Sequence, residues 1–566
     1  MRWFSGAALL SVILLGGMAN LSAADFTFLP TTGTGNWSLT SNWDTGTVPD
    51  VADANIILQA GTGSPQANLA GVTRTIGHIS ANVSTASWNI QTGGFRWDTT
   101  SGAPTITLHN TLANQNLTIQ PSMYDPTGGS DGALEIFTDV AGGVVSFTGN
   151  NSQFTGGFHL KSSYQASLSL LYSESMGTNT VTLSNANHNL RLGQGAVSRT
   201  FSGNIVIGSG ASEVTLYSNA AAGGVAILEG VVSGAGNVNY RTYSGGELDL
   251  RGINTYTGNS SISSIVMTFS GVENLGTGNK IVFGTNATLI YATGNTDDLT
   301  KKGDGTARVV DLTNSNSTVN TNGNDVTFAN AVTTTHGTSN FTKSGAGTLR
   351  LESGANNFGA SLRVSGGTLL VNNASGNGTG GAAIQVGSVL GGTGSVRPGS
   401  ANSIVIQTGG TLSAGDSLIN SGIGNFTINL SSTTGNLTFL DESFLAVDLN
   451  TGLAADRIIL SSSDVGSVIF AGDTRINLTD QSGGNLTEGA YLLMDAAADN
   501  VYSGLTLSGN LITGGLSVNS GVPSGWTSSL RLDSGNIYLD LVPEPTALVL
   551  LGLSAGLLAL RHRRRC

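Results

Sequence analysis

The sequence predicts an all-β fold wound as a solenoid, and three observations predict it. The first is the stretch from Ser344 to Val396, where the short pieces TLRL, LRV, TLLV and IQV lie between Gly, Asn and Ser turns. Their period-two alternation marks strands with one buried face. It puts Leu349 and Leu351 on one face and Leu369 and its neighbours on another. Each strand is too short to bury a core alone, but stacked copies bury a continuous one. The second observation is that copies exist: NNFGASLRV at Asn356 is echoed by NTYTGNSSI at Asn254 and NSQFTGGFHL at Asn151. The anchors recur roughly every hundred residues, so each interval holds several coils. The third is composition: 81 of 566 residues are Gly, 10% are charged and only 10 are Pro. Turn-dense β structure suits that glycine content and helices do not, and ladders exclude Pro. Disorder would need fewer apolar residues than the 39% present.

The formal net charge of −12 argues against nucleic acid as a partner and suits an exported, solvent-facing surface. Cys566 is the single cysteine, so no intrachain disulfide forms, and rigidity must come from stacked backbone ladders.

The motifs GAGTLRL, NTYTG, VSGGTLLV, LGTGN and the GGTLSAGDS at Gly409 to Ser417 resemble the autotransporter-associated β-strand repeat, or passenger-associated repeat, of secreted bacterial proteins. The resemblance covers roughly two-thirds of the chain. It implies an elongated right-handed parallel β-helix, and it speaks to architecture far more than to activity.

In chain order, residues 1–24 carry Arg2, an apolar run and small residues at the end, the pattern of a Sec-type signal peptide cut after Ala24. Residues 25–140 form an N-terminal β region. It holds Trp37, Trp43, Trp88 and Trp97, four of the six tryptophans. They read as part of a cap, because an open solenoid end exposes core and strand edges; the functional alternative is a carbohydrate-stacking platform. Residues 141–420 form the repeat body, with strand pieces such as GNIVIGS, GGVAILEGVVSG and GNKIVFGTNATLIYA. Coils of roughly 20 to 25 residues at ~4.8 Å would give a rod on the order of 100 Å. Residues 421–541 continue as β and read equally as a C-terminal cap or a small separate sandwich. There SFLAVDLNTGLAADRIIL, with Asp456 before its second strand, resembles the segment that follows the GGTLSxGxS motif in this class.

Residues 542–566 form the tail: Pro543-Glu544-Pro545, an apolar run over 546–560, then Arg561, His562, Arg563, Arg564 and Arg565. The run is short for a full span, and the flanking arginines extend it by snorkelling and act as a membrane stop. This tripartite end is similar to the PEP-CTERM sorting signal. That resemblance implies that an exosortase, an inner-membrane transpeptidase, recognises Pro543, Glu544 and Pro545 and removes the tail. Processing at both ends would take the net charge from −12 to about −17 and leave no cysteine.

No catalytic, cofactor-binding or metal site is expected. His78, His109, His159, His188 and His336 are dispersed, without metal-ligand spacing, and no nucleophile elbow or P-loop occurs. β-Helices also serve as polysaccharide lyases and hydrolases, whose carboxylates sit close together. The best local candidates are Glu247 and Asp249, which alternate with Arg251. The related strand carries Thr348, Arg350 and Glu352 at matching places, so these charges read as a solvated outer face. Asp297, Asp298 and Asp304 read as turn residues. The expectation is a secreted, non-enzymatic surface or matrix protein. It would meet the Sec machinery, an exosortase and, transiently, the inner membrane during export, with exopolysaccharide or adhesion as its setting. The alternatives are a β-helical polysaccharide-degrading enzyme and an autotransporter-like passenger without its barrel. A barrel would need amphipathic strands at the C-terminus, where this sequence has the apolar run and arginines.

Overall fold

The computed structural model describes residues 24–544, except for 64, 84–85, 110–115, 127–131, 140, 314–315, 335, 400–401, 419–421, 431–434, 462–466 and 497–501. The expected signal helix and C-terminal hydrophobic helix lie outside the described residues. Between them the chain is nearly all β, with long parallel sheets arranged as in a β-solenoid. Two compact units divide between His159 and Leu160.

In the first unit, successive strands return to three ladders. One runs Asp25–Phe28, Asn55–Leu58, His78–Asn82, Thr105–His109 and Leu134–Thr138, all parallel. A second runs Thr34–Asn36, Gln66–Asn68, Trp88–Gln91, Asn116–Ile119 and Val144–Phe147. A third holds Thr73–Ile76, Gly94–Trp97 and Ser122–Tyr124. Inward positions alternate with outward ones, so Ile56, Ile79, Ile106 and Ile136 are all fully buried and stack in register.

In the second unit, one sheet of thirteen strands runs from Arg199–Phe201 to Tyr502–Ser503. At ~4.8 Å per strand that ladder is on the order of 60 Å long. Beside it lie a sheet of eight strands from Val326–Phe328 to Leu516–Ser520 and a further ladder from Ser395–Val396 to Gly489–Ala496. Lateral bonds join residues 21 apart at Ser361 and Asn340 and 33 apart at Arg475 and Glu442, so several coils are longer than the sequence predicts. The longer coils carry an additional strand in the third ladder, such as Asn425–Asn429 or Arg457–Ser461, which the coil from Asn340 to Ser361 lacks.

The stretch around Ser344–Val396 shows why the repeats recur. Leu349 pairs with Leu369, Leu369 with Leu390, Leu390 with Leu412 and Leu412 with Leu445. Each is at most 1% exposed, and burying one leucine contributes ~1.5–3 kcal/mol. Leu369 therefore does not face away from Leu349: TLRL and TLLV are the same edge of consecutive coils. Their turns stack too. Gly347 has φ +83 and Gly367 φ +63, and a Cβ at either would meet a carbonyl of the coil below at 2.2 or 2.3 Å. Only glycine takes that conformation in that space.

Each of the three Asn anchors accepts a backbone N–H of the preceding coil, and Asn254 and Asn356 also donate to the next. Asn254 accepts from Val232 N at 2.7 Å and donates to Asn274 O. Asn356 accepts from Val332 N at 2.9 Å and donates to Gly378 O at 3.0 Å. Asn151 accepts from Met123 N at 3.2 Å. All three are buried. An amide carries both donor and acceptor, so one side chain satisfies backbone groups of the coil before and the coil after.

The C-terminal end changes pattern. Gly489–Ala496 is parallel to Arg457–Ser461 on one side but antiparallel to Asn536–Pro543 on the other. The hairpin Trp526–Asp533 and Asn536–Pro543 thus covers the last open edge of that ladder.

Candidate functional site

The expected processing residues fall at the two ends of the described chain. Ala24 is exposed, and its carbonyl accepts from Asn55 N at 2.9 Å. Pro543 ends the last strand opposite Trp526. Glu544 follows it, exposed, donating its N–H to Gly525 O at 2.6 Å. Pro545, Arg561, Arg563, Arg564 and Arg565 lie outside the described residues, as does the segment 546–560.

The carboxylate candidates hold structure rather than converge. Glu247 and Asp249 face outward on the strand Glu247–Leu250. Asp249 is bound by Arg251 at 2.8 Å, and Arg251 also lies 3.7 Å from Glu229. Asp297 accepts from Val272 N at 3.0 Å, and Asp298 accepts from Thr300 N and Ala329 N, so both tie neighbouring coils. Asp304 accepts from the hydroxyl and N–H of Thr306 in an exposed turn, which lowers its pKa.

Arg350 departs from expectation. It is buried, not on a solvated outer face, and its Nε and Nη2 reach Asp416 at 2.9 and 3.2 Å. Asn372 and Leu418 N complete the carboxylate's shell at 2.9 and 3.0 Å. Burial opposes the charge on Asp416, but the bonds from Arg350, Leu418 and Asn372 outweigh it and hold the pKa below the ordinary value. The reason lies in topology: Thr348–Leu351 and Glu247–Leu250 belong to different sheets, so similar sequence does not mean the same exposure. The turn after Thr411–Ser413 folds Asp416 back over Arg350, 66 residues away in sequence.

Asp456 is also buried. It accepts from Gly424 N and Asp448 N at 2.9 and 3.0 Å. Burial pushes its pKa up to about 7 against those two donors, and the neighbouring charge of Asp448 adds to the rise. Lys343 is fully buried and donates to Ser344 O, Gly345 O and Gly366 O at 3.1, 2.8 and 2.8 Å. Burial lowers its pKa to about 8, opposed by attraction to Asp325.

One histidine arrangement is not legible in the sequence. His109 Nδ1 lies 3.1 Å from Asp139 Oδ2, and its Nε2 lies 3.0 Å from Ser80 Oγ. Ser80 and His109 border a surface depression of about 460 Å³ lined also by Ile57, Leu58, Gln59, Ala60 and Asn82. Register pairs Asn82 with His109 across neighbouring strands, which sequence spacing could not reveal. The imidazole and carboxylate are 47% and 48% exposed, so water screens their attraction. Ser80 sits in a strand paired on both sides, so the surrounding backbone N–H groups are engaged in the ladder and form no oxyanion pair. His188, by contrast, is buried and accepts from Ala166 N at Nδ1, which leaves Nε2 to donate to Ser184 O: a structural role. Among the described residues no group of three or more His, Cys, Asp or Glu is placed to hold a metal.

The four tryptophans are core. Trp37, Trp43, Trp88 and Trp97 are at most 2% exposed. Trp37 and Trp43 pack edge to face at 4.7 Å, and Phe28 lies 5.0 Å from Trp43. Rings this buried cannot stack on a sugar, so the platform alternative falls.

Among the described residues no helix is long and apolar enough to cross a membrane. No curated protein matches the chain. Residues 341–371, the segment that carries Lys343, Arg350, Asn356 and the stacked leucines, match the family model described as passenger-associated transport repeat.

Proposed function

We propose that the chain is an exported, non-enzymatic protein of the cell surface or extracellular matrix of a Gram-negative bacterium, wound as a right-handed parallel β-helix. The observation that carries this reading is the passenger-associated repeat at 341–371, which is passenger-like in the manner of autotransporters. Its mechanism is physical: stacked coils present outward Thr, Ser and Asn rows to a matrix or an adhesion partner. The tail supports a sorting route in which an exosortase acts at Pro543-Glu544-Pro545 after Sec export, with exopolysaccharide as the neighbour. Mass spectrometry of the mature C-terminus in surface and culture fractions tests it. A terminus near Pro543–Pro545, absent from an exosortase-deficient strain, is expected. An intact tail through Cys566 held in the inner membrane would overturn it.

The runner-up is a polysaccharide-modifying hydrolase. The Ser80–His109–Asp139 trio favours it, as an ester-cleaving arrangement. The lack of oxyanion donors in the backbone around Ser80 weighs against it.

A further inference from the structure

Three outward strands of the second unit run longer than their neighbours: Asn189–Gly195, Glu213–Ala221 and Asn237–Ser244. Register sets Arg191 beside Tyr217, and Tyr217 beside Arg241. Tyr243, two residues beyond Arg241, is 59% exposed. The Arg191 guanidinium lies 4.3 Å from the centre of the Tyr243 ring, and Tyr217 and Tyr243 meet edge to face at 6.1 Å. A second Arg–Tyr pair, Arg199 over Tyr172 at 4.3 Å, borders the far end of the first strand, where Arg199 reaches Gln194 O.

The two central arginines are free of acid. Among the described residues neither Arg191 nor Arg241 has a carboxylate partner, and Arg191 Nε is buried with no hydrogen-bond partner. The carboxylate on these three strands is Glu213, four residues from Tyr217 and so roughly 13 Å away along the strand. The rows alongside are neutral and polar: Asn189, Thr215, Asn239 and Ser261 stand in register. The molecule as a whole is acidic, at −12, yet this facet presents unpaired guanidinium groups and exposed aromatic faces side by side. Several arginines elsewhere, Arg251, Arg475 and Arg531 among them, are instead neutralised by flanking acids.

We propose that this facet binds an anionic polysaccharide through its uronate carboxylates. Guanidinium groups pair with carboxylates in two-bond geometry, and tyrosine rings offer the apolar face on which a pyranose ring lies. Strands ~4.8 Å apart repeat these groups at intervals comparable to one sugar ring. The acidity of the rest of the molecule repels such a polymer, so contact is confined to the facet. The proposal rests on the surface-protein reading for its choice of ligand, and it adds the site and the charge of the glycan.

The test is binding of the purified mature protein to polygalacturonate, with dextran as the neutral probe, at low and high salt. Arg241 and Tyr243 are both exposed, so R241Q and Y243A are compatible with the fold, which unchanged melting would verify. The expected result is binding to polygalacturonate but not dextran, weakened by salt. About a tenfold loss is expected in each of R241Q and Y243A, with R363Q, an exposed arginine on another sheet, unchanged. Equal binding of dextran, equal loss in R363Q, or no loss in R241Q and Y243A would each overturn the site. A failure to bind would leave the surface reading standing, whereas a tail retained in the inner membrane would overturn that reading and leave this binding intact.

Discussion

Buried polar side chains hold this protein's coils together, and their loss has calculable consequences. Asn356→Ala removes one acceptor and one donor from two neighbouring coils and strands backbone groups in the core. A loss of about 2–4 kcal/mol is expected, read from the urea midpoint of the mature protein. Asp416→Ala leaves Arg350 charged and unpaired at 9% side-chain exposure, and about 3–5 kcal/mol should go. Lys343 makes a pH signature. Its pKa is about 8 when folded, against an ordinary 10.5, so below pH 8 the fold bears the cost of the buried charge. As pH rises from about 8 to 10.5 the folded side chain releases its proton first, so stability should rise, by up to about 3 kcal/mol. K343M should lack that rise, and the difference between the two stability–pH curves measures it. At Ser80 the non-enzymatic reading expects no hydrolysis of p-nitrophenyl esters above background. Activity in the wild type that disappears in S80A would favour the hydrolase instead.

The strands are short, yet each ladder gains cooperativity from stacking, and this makes the ends vulnerable. Gly489–Ala496 would present an open edge if the hairpin from Trp526 to Pro543 were absent. Deleting residues 526–544 should therefore yield oligomers or aggregates by size-exclusion chromatography, since an exposed edge pairs with another chain. At the other end, the aromatic cluster of Phe28, Trp37, Trp43 and Trp88 fills the first coils. Its size explains why tryptophan concentrates in that part of the sequence: large rings fill the core of the first described coils, where Phe28, Trp37 and Trp43 pack on one another.

Across the molecule, most contacts run between one coil and the next, the Arg350–Asp416 pair being a longer-range exception, so a local defect should stay local. Asn356→Ala is expected to raise amide exchange in the coils from Val326 to Val396 while leaving the ladder from Asp25 to Thr138 protected, as nearest-neighbour repeat energetics require. Uniform loss of protection in hydrogen-exchange mass spectrometry would instead show that both compact units unfold together.

Much of the fold is legible in the residues because the signals are local. Period-two alternation names the strands, the glycines of GAGT and SGGT name turns that only glycine can make, and Asn254 and Asn356 recur because each coil junction needs a donor and an acceptor from one side chain. Strand pattern, glycine turns and the recurrence of the Asn anchors are all carried by the sequence. Facing and partnership are not. Leu369 stands beside Leu349, Arg350 is buried against Asp416 rather than solvated, and Ser80, His109 and Asp139 meet, only because a coil's length sets which residues become neighbours across the ladder. That length varies from coil to coil, from 21 residues between Asn340 and Ser361 to 33 between Glu442 and Arg475, and no local pattern encodes it, so the tertiary winding alone decides which side chains touch.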